Sequence, residues 1–410
     1  MRRISPDSPF FLALLGAMGA MLALSIDMGL PALPLLGRAL HASESDAALT
    51  LSLFLAGYAF AQLGFGPFSD RFGRRPVLLG GCLLFSAGSV ACALAPRMPW
   101  LLGARLVAGC GAGAGMVVVL AMVRDLFDGA RARSMLSVLN LIRAVAPIVA
   151  PSLGAWLLRL GSWRGIYAVL AAFGCVVTLV AWRGLGESLA RPDPQALRPR
   201  RLVGNYRAMF VHPEAFGHAL VNALCFGFLF SYIAGSPLLM TRVLGLSAEE
   251  YALVFACTAL GIVAGASTSA QLGRRHVSGH VPLGVGLAGT MFAACLLLWL
   301  GWVPGAGLSL YLPVLLLGTF SYGLAAPNAV HGALHPLPHM AGVAGASLGF
   351  VQMATGAAAS ALVAWLDDGR SAHSMSLAMA LCAGGAVLVY LGVARPAQRR
   401  RLARAAAGGC

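Results

Sequence analysis

Lysine is absent from this chain: all 29 basic residues among its 410 positions are arginine. Without lysine there is neither a Walker A phosphate loop nor a Schiff-base amine, which excludes ATP-driven work and imine chemistry by the chain alone and leaves a partner ATPase open. Charge of either sign is scarce, at 10% of residues, with 14 carboxylates against the 29 arginines. Cysteine is present nine times, never as C-x-x-C, and all but Cys410 fall in apolar runs. That pattern excludes a disulfide framework or a metal site and reads as small packing residues. What fills the chain instead is hydrophobic, 59% of residues at a mean hydropathy of +0.81. Apolar runs near 20 residues long recur throughout, the mark of a polytopic helical membrane protein. The net charge of +15 would suggest nucleic acid in a soluble protein. Here the arginines collect between the runs, so the expected large partner is the lipid bilayer and not nucleic acid.

Twelve spans are expected, near residues 9–31, 47–68, 76–96, 99–122, 134–157, 164–184, 215–240, 248–270, 281–301, 308–330, 342–365 and 374–394. The widest polar gap divides them six and six. This gives an N-terminal half over 1–184, a basic linker over 185–213, a C-terminal half over 214–394 and a basic tail over 395–410. With the N-terminus in the cytoplasm, 21 arginines fall in cytoplasmic segments and six on the other face, Arg105 and Arg143 lying within spans. Basic residues stay inside, so both termini are expected in the cytoplasm. Arg2 and Arg3 before an apolar run resemble a signal peptide, but the run continues to Pro34 and reads as an uncleaved first helix.

Between spans 2 and 3 lies a charged island, Gly66-Pro67-Phe68-Ser69-Asp70-Arg71-Phe72-Gly73-Arg74-Arg75-Pro76. It reads as a tight cytoplasmic turn in which Asp70 takes one of the arginines or a helix N-terminus as partner. Gly66 and Gly73 would allow close packing or positive φ. Gly273-Arg274-Arg275 follows span 8 at the matching point of the second half, with Ala270 where the first copy has Asp70. Equal placement suggests duplication, as in transporters with parallel repeats.

Polar groups inside the spans are the candidate working parts. In span 1, Gly16, Ala20, Ala23 and Asp27 follow helical spacing, a small-residue face ending in a carboxylate. A carboxylate at mid-membrane costs roughly 2.5–3.5 kcal/mol on insertion scales. Asp27 is thus either a proton or cation site in a polar cavity, or a cap on a helix end broken before Pro31. Arg105 in span 4 needs a counter-charge or carbonyls from another helix, for proton coupling or for structure. Arg124 and Asp125 read as an interfacial pair, with a link to the Asp70 turn as the alternative. Pro147 and Pro151 in span 5 remove two backbone donors four residues apart and should bend it. Arg143 either faces a cavity or snorkels to the interface.

The second half offers His218, Asn222, Ser231, Tyr232, Asn328, His331 and Gln352 as polar candidates. His331, His335 and His339 read as a solvated loop, with zinc as the minor alternative. Gly345-Ala-Ser347-Leu-Gly349 matches the G-x-S-x-G nucleophile pattern, but inside an apolar helix it reads as close helix packing.

These segments, taken in order, carry a resemblance. The Asp70 turn resembles the loop between helices 2 and 3 of the major facilitator superfamily. Asp27-Met-Gly-Leu-Pro-Ala-Leu-Pro, Tyr58-Ala-Phe-Ala-Gln62, Arg105 with Gly109, Val123-Arg124-Asp125, Ala146-Pro147 to Ala150-Pro151 with Gly154, Trp163-Arg164 and Tyr232-Ile-Ala-Gly-Ser-Pro237 add to it. Together they look like the bicyclomycin-resistance and chloramphenicol-efflux branch of the twelve-helix drug:proton antiporters. The resemblance implies an all-α membrane protein of the major facilitator fold. It also implies an inner-membrane secondary transporter, not an enzyme, that exports small drugs or antibiotics by alternating access of two six-helix halves. Protons would be the coupling ion, with no cofactor and no metal, and the chain would work as a monomer. It assigns Gly66, Asp70, Arg71, Gly73, Arg74 and Arg75, with Arg124 or Asp125, to a cytoplasmic gate. Asp27 and Arg105 fall to proton coupling, and Pro147, Pro151 and Gly154 to the antiporter motif. Arg143, Asn222, Tyr232, Asn328 and Gln352 are the candidates for the substrate cavity. Ala146 stands where that motif usually begins with glycine, and Arg143 just before it is unusual. A proton-coupled metabolite exporter or importer shares the architecture, and a non-transporting receptor or sensor is the reading from another class.

Overall fold

The computed structural model describes residues 4–6, 8–303, 305–337, 341–367 and 371–407, and these form helices with no strand among them. The first helices are α1 (Pro9–Asp27), a 3-10 turn (Leu30–Ala32), α2 (Leu33–Ala39), α3 (Glu44–Phe72), α4 (Arg74–Ala93), α5 (Met98–Leu126), α6 (Gly129–Leu160) and α7 (Trp163–Gly184). Then come α8 (Pro199–Val211), α9 (Pro213–Pro237), a π turn (Leu238–Val243), α10 (Ala248–Arg274), α11 (His280–Leu300) and α12 (Leu308–Leu334). The chain closes with α13 (Ala341–Leu366), α14 (His373–Val389), a second π turn (Tyr390–Ala394) and α15 (Arg395–Ala407). Among the described residues eleven helices are long and apolar enough to cross a membrane, and α6 adds a shorter apolar stretch, Val145–Leu160.

The chain divides into two compact units. One runs to Arg201 and takes in Leu246–Ala256; the other holds Leu202–Gly245 and the chain from Cys257 on. In the first, α3 packs on α5 through glycines placed where no Cβ fits. One at Gly57 would strike the Leu106 carbonyl, and one at Gly109 the Phe54 carbonyl. In the second, α10 packs on α12 the same way, Gly265 against the Phe320 carbonyl and Gly323 against that of Ile262. Small residues let membrane helices approach to backbone contact where apolar side chains gain nothing over lipid. The two pairs hold matching places in their halves, so the internal repeat extends from charge pattern to packing.

Several expectations change. The charged island is not a loop: α3 runs on through Pro67 to Phe72, and only Gly73, at φ +100°, parts it from α4. Positive φ explains that glycine. Gly66 needs no such account, since a Cβ there would meet only Val117 at 3.7 Å. The repeat does not reproduce the break, because Gly273 lies inside α10. The basic linker contains α8, and the tail is helical as α15. His331 stands on α12 and His335 at its end, not in a loop, and His339 lies outside the described residues. Ser347 is buried within α13, but Gly345 has open space around it, so close packing does not explain that glycine.

Candidate functional site

Two groups of polar residues in the first unit are built around arginine. The first lies where α3, α4 and α5 end or begin together. Arg74, 7% exposed at the start of α4, sets its Nη1 2.6 Å from Asp70 Oδ1 and its Nε 2.8 Å from Asp125 Oδ2. Nη1 also donates to Ser69 Oγ at 2.6 Å. One guanidinium thus ties the last turns of α3 and α5 to the first turn of α4. Its planar fork of donors suits two carboxylates at once, which a lysine ammonium would not match.

Glu187, just beyond α7, completes this group. Its carboxylate accepts from the backbone N–H groups of Arg74 at 2.9 Å and Arg75 at 3.1 Å. A helix N-terminus leaves such donors unpaired and favours negative charge, so Glu187 caps α4 from outside. Ser188 Oγ adds a contact to Asp125 at 3.3 Å, and Arg75 Nη2 donates to the Trp182 carbonyl at 2.6 Å. The linker closes back over the same place, the Asp193 N–H donating to the Asp70 carbonyl at 2.9 Å. The Asp193 carboxyl itself is held below the usual carboxylate range by the Gln195 N–H and then by Arg201.

Not every gate candidate joins. Arg71 is exposed, its guanidinium 5.4 Å from the neighbouring Phe72 ring. Arg124 is also exposed and donates to the Leu120 carbonyl, while Asp125 beside it turns to Arg74. Glu187 and Ser69 were missed in the sequence. Glu187 stood 113 residues from Arg74 in a segment that read as linker.

The second group is around the break in α1. Asp27 is the last residue of α1 and only 4% exposed. Its carboxylate caps no helix end and has no hydrogen bond or ion pair among the described residues, which disfavours the capping reading. Gly16, Ala20, Ala23 and Asp27 share one stripe of the helix, and Gly16 packs against Ile142, so the stripe faces α6. At the break itself, a Cβ on Gly154 of α6 would strike the Met28 carbonyl. Gly154 therefore seats α6 on the residue next to Asp27. Pro147 and Pro151 lie inside α6 a turn or two earlier.

Arg105 approaches α1 from the other side. It is 2% exposed, with Nη1 donating to Ser25 Oγ at 2.7 Å and Nε to the Thr50 carbonyl at 3.3 Å. Its guanidinium lies 4.3 Å from the Phe54 ring centroid, a cation–π contact. No carboxylate pairs with it among the described residues, so its partners are a hydroxyl, a carbonyl and two rings, the second being Tyr167 at 5.7 Å. Ser25 and Asp27, two apart on a helix, point to nearly opposite sides. Arg105 thus reaches the Asp27 region through the α1 backbone.

The polar candidates of the second unit do not converge on one point. Asn222 Nδ2 donates to Gln352 Oε1 at 3.1 Å, joining α9 to α13. Tyr232 Oη pairs with Thr258 Oγ1 at 2.9 Å, joining α9 to α10, and Asn328 Nδ2 donates to Ser269 Oγ at 2.8 Å, joining α12 to α10. The Arg143 side chain lies outside the described residues.

Residues 14–361 match the family model of the Major Facilitator Superfamily. The chain belongs to the major facilitator superfamily. An uncharacterized transporter of that type, YdgK of Bacillus subtilis, is 31% identical over 356 residues, covering 85% of this chain and 87% of that one. Multidrug resistance protein MdtL of Salmonella schwarzengrund is 30% identical over 369 residues, 89% of this chain and 90% of that one. Two solved structures share the fold. A bacterial homolog of the human lysosomal transporter Spinster, inward-facing and occupied, has a TM-score of 0.72 at 16% identity, covering 97% and 98% of the two chains. The xylose transporter XylE of E. coli has a TM-score of 0.69 at 15% identity, covering 93% and 97%. The chain is therefore a membrane transporter of this superfamily and not an enzyme.

Proposed function

We propose that the chain is a drug:proton antiporter of the bicyclomycin-resistance and chloramphenicol-efflux branch. It sits in a bacterial inner membrane with both termini in the cytoplasm and acts as a monomer without a cofactor. The observation that carries this reading is Asp27: a buried carboxyl with no hydrogen bond or ion pair among the described residues, at a break in α1 and on the side facing α6. Such a group can take up and release a proton without breaking a contact to any described residue. An acid within a span is by default a functional group. The relatives named multidrug resistance proteins support export of drugs over other cargo.

In this reading a proton from the periplasm neutralises Asp27 and is exchanged against outward-moving substrate by alternating access. Gly154 and Ser25 hold the two sides of the α1 break, so α6 and Arg105 follow a change at Asp27. The cluster of Arg74 with Asp70, Asp125 and Glu187 serves as the cytoplasmic gate. Drug flux across everted vesicles tests direction. Imposing an acid-inside gradient should drive radiolabelled chloramphenicol, or another member of a small drug panel, into the lumen. Movement outward would make the chain an importer, and no gradient dependence would remove the proton from the account.

A further inference from the structure

The second unit holds an ion contact that no part of the transport reading uses. Glu214, in the first turn of α9, is 3% exposed. Its Oε2 lies 2.8 Å from Arg401 Nε on α15, but the N–H is not directed at the oxygen, so the contact is one of charge alone. Arg401 Nη1 also lies 3.4 Å from His335 Nδ1 at the end of α12. One side chain of the last helix therefore touches the beginning of α9 and the end of α12. A π turn, Tyr390–Ala394, joins α15 to α14, and Ala394 sits on Gly217, where a Cβ would come within 3.1 Å. Single π turns recur at functional sites in helices. The last helix thus has a π turn at one end and a charge contact beyond it.

We propose that α15 is an acid-released latch on the second unit, with His335 as its trigger. A neutral imidazole accepts from Arg401. A proton on His335 removes that acceptor and sets a second cation beside the guanidinium, leaving Glu214 to hold it alone. The described groups around this contact are Glu214 and His218 on α9, His331 on α12, His280 on α11 and Arg395 and Arg399 of α15. Glu214, His280 and Arg401 all act electrostatically on His218, so the cluster is compact. The His331 ring lies 5.2 Å from that of His335. Histidine is the side chain that ordinarily changes charge between pH 5 and 8. A carrier that brings protons inward would then loosen its own last helix as that side acidifies.

Hydrogen–deuterium exchange of the full chain in nanodiscs, expressed as protection relative to each amide's intrinsic rate, reads the latch directly. Protection of α15 should fall roughly fivefold between pH 8 and pH 6. Glu214→Gln and Arg401→Gln should lower it at both values. His335→Gln should hold it constant across the range. Unchanged amides in α4 and α5 establish that each variant is folded. Protection of α15 that does not depend on pH, or a pH effect surviving in His335→Gln, would overturn the proposal.

Discussion

Arg74 stands apart from the other arginines of its segment. It is buried between two carboxylates, while Arg71 and Arg124 reach solvent. Removing a hydrogen-bonded charge from such a place leaves its partners unpaired, which costs more than the pair contributes. Arg74→Gln should therefore destabilise the protein by about 2 kcal/mol, seen as a lower melting temperature in detergent. Arg71→Gln and Arg124→Gln should stay within about 0.5 kcal/mol of the parent. Glu187→Gln removes a full negative charge from the α4 N-terminus and should cost about 1 kcal/mol in the same assay. Equal melting of all four variants would mean that the cluster does not hold these helix ends. At this scale the sequence was partly legible. Asp70 and Arg74 stood out because charge is rare between apolar runs. Glu187 did not, because its partners are backbone N–H groups that leave no trace in residue types. Which of Arg124 and Asp125 meets Arg74 depends on helix phase, and a neighbouring pair gives no phase.

Among the elements, α1 and α6 are the pair on which the proposed proton site rests. The proline pair and Gly154 were visible in the sequence as a motif, but what Gly154 touches was not. Its need to be glycine comes from the Met28 carbonyl across the contact. Gly154→Ala should cost about 1–3 kcal/mol by overpacking and should lower transport along with stability. Gly161, just past the end of α6, has open space and an extended backbone, so Gly161→Ala should be neutral in both measurements. An inert Gly154→Ala would remove α6 from the account of Asp27. Helix ends were less legible than helix existence. The polar residues closing α3 and α5 read as turns, although the helices carry them several residues past the apolar runs. Likewise α8 and α15 are too polar to read as spans and went unnoticed as helices. No apolar run marks such a segment, whose order comes from contacts such as Met209 packed among residues of α9, α12 and α13.

For the whole molecule, the twelve apolar runs and the charged segments between them fixed the fold class before any contact was known. The repeat, first seen in three residues, recurs as glycine-to-carbonyl packing in α3 with α5 and in α10 with α12. The orientation reading has a direct check, since a chain without lysine offers trypsin only arginine. In everted vesicles trypsin should cut the linker at its exposed arginines that do not precede proline, Arg200, Arg201 and Arg207, and sealed right-side-out vesicles should resist. Cleavage from the other side would invert the topology.

The central claim, that Asp27 carries the coupled proton, is tested most directly in energised everted vesicles with a pH-sensitive dye. A transported drug should collapse the acid-inside gradient in the parent protein, and Asp27→Asn should abolish that collapse while still binding the drug. Equal collapse in parent and variant would contradict the claim and place the proton on another residue.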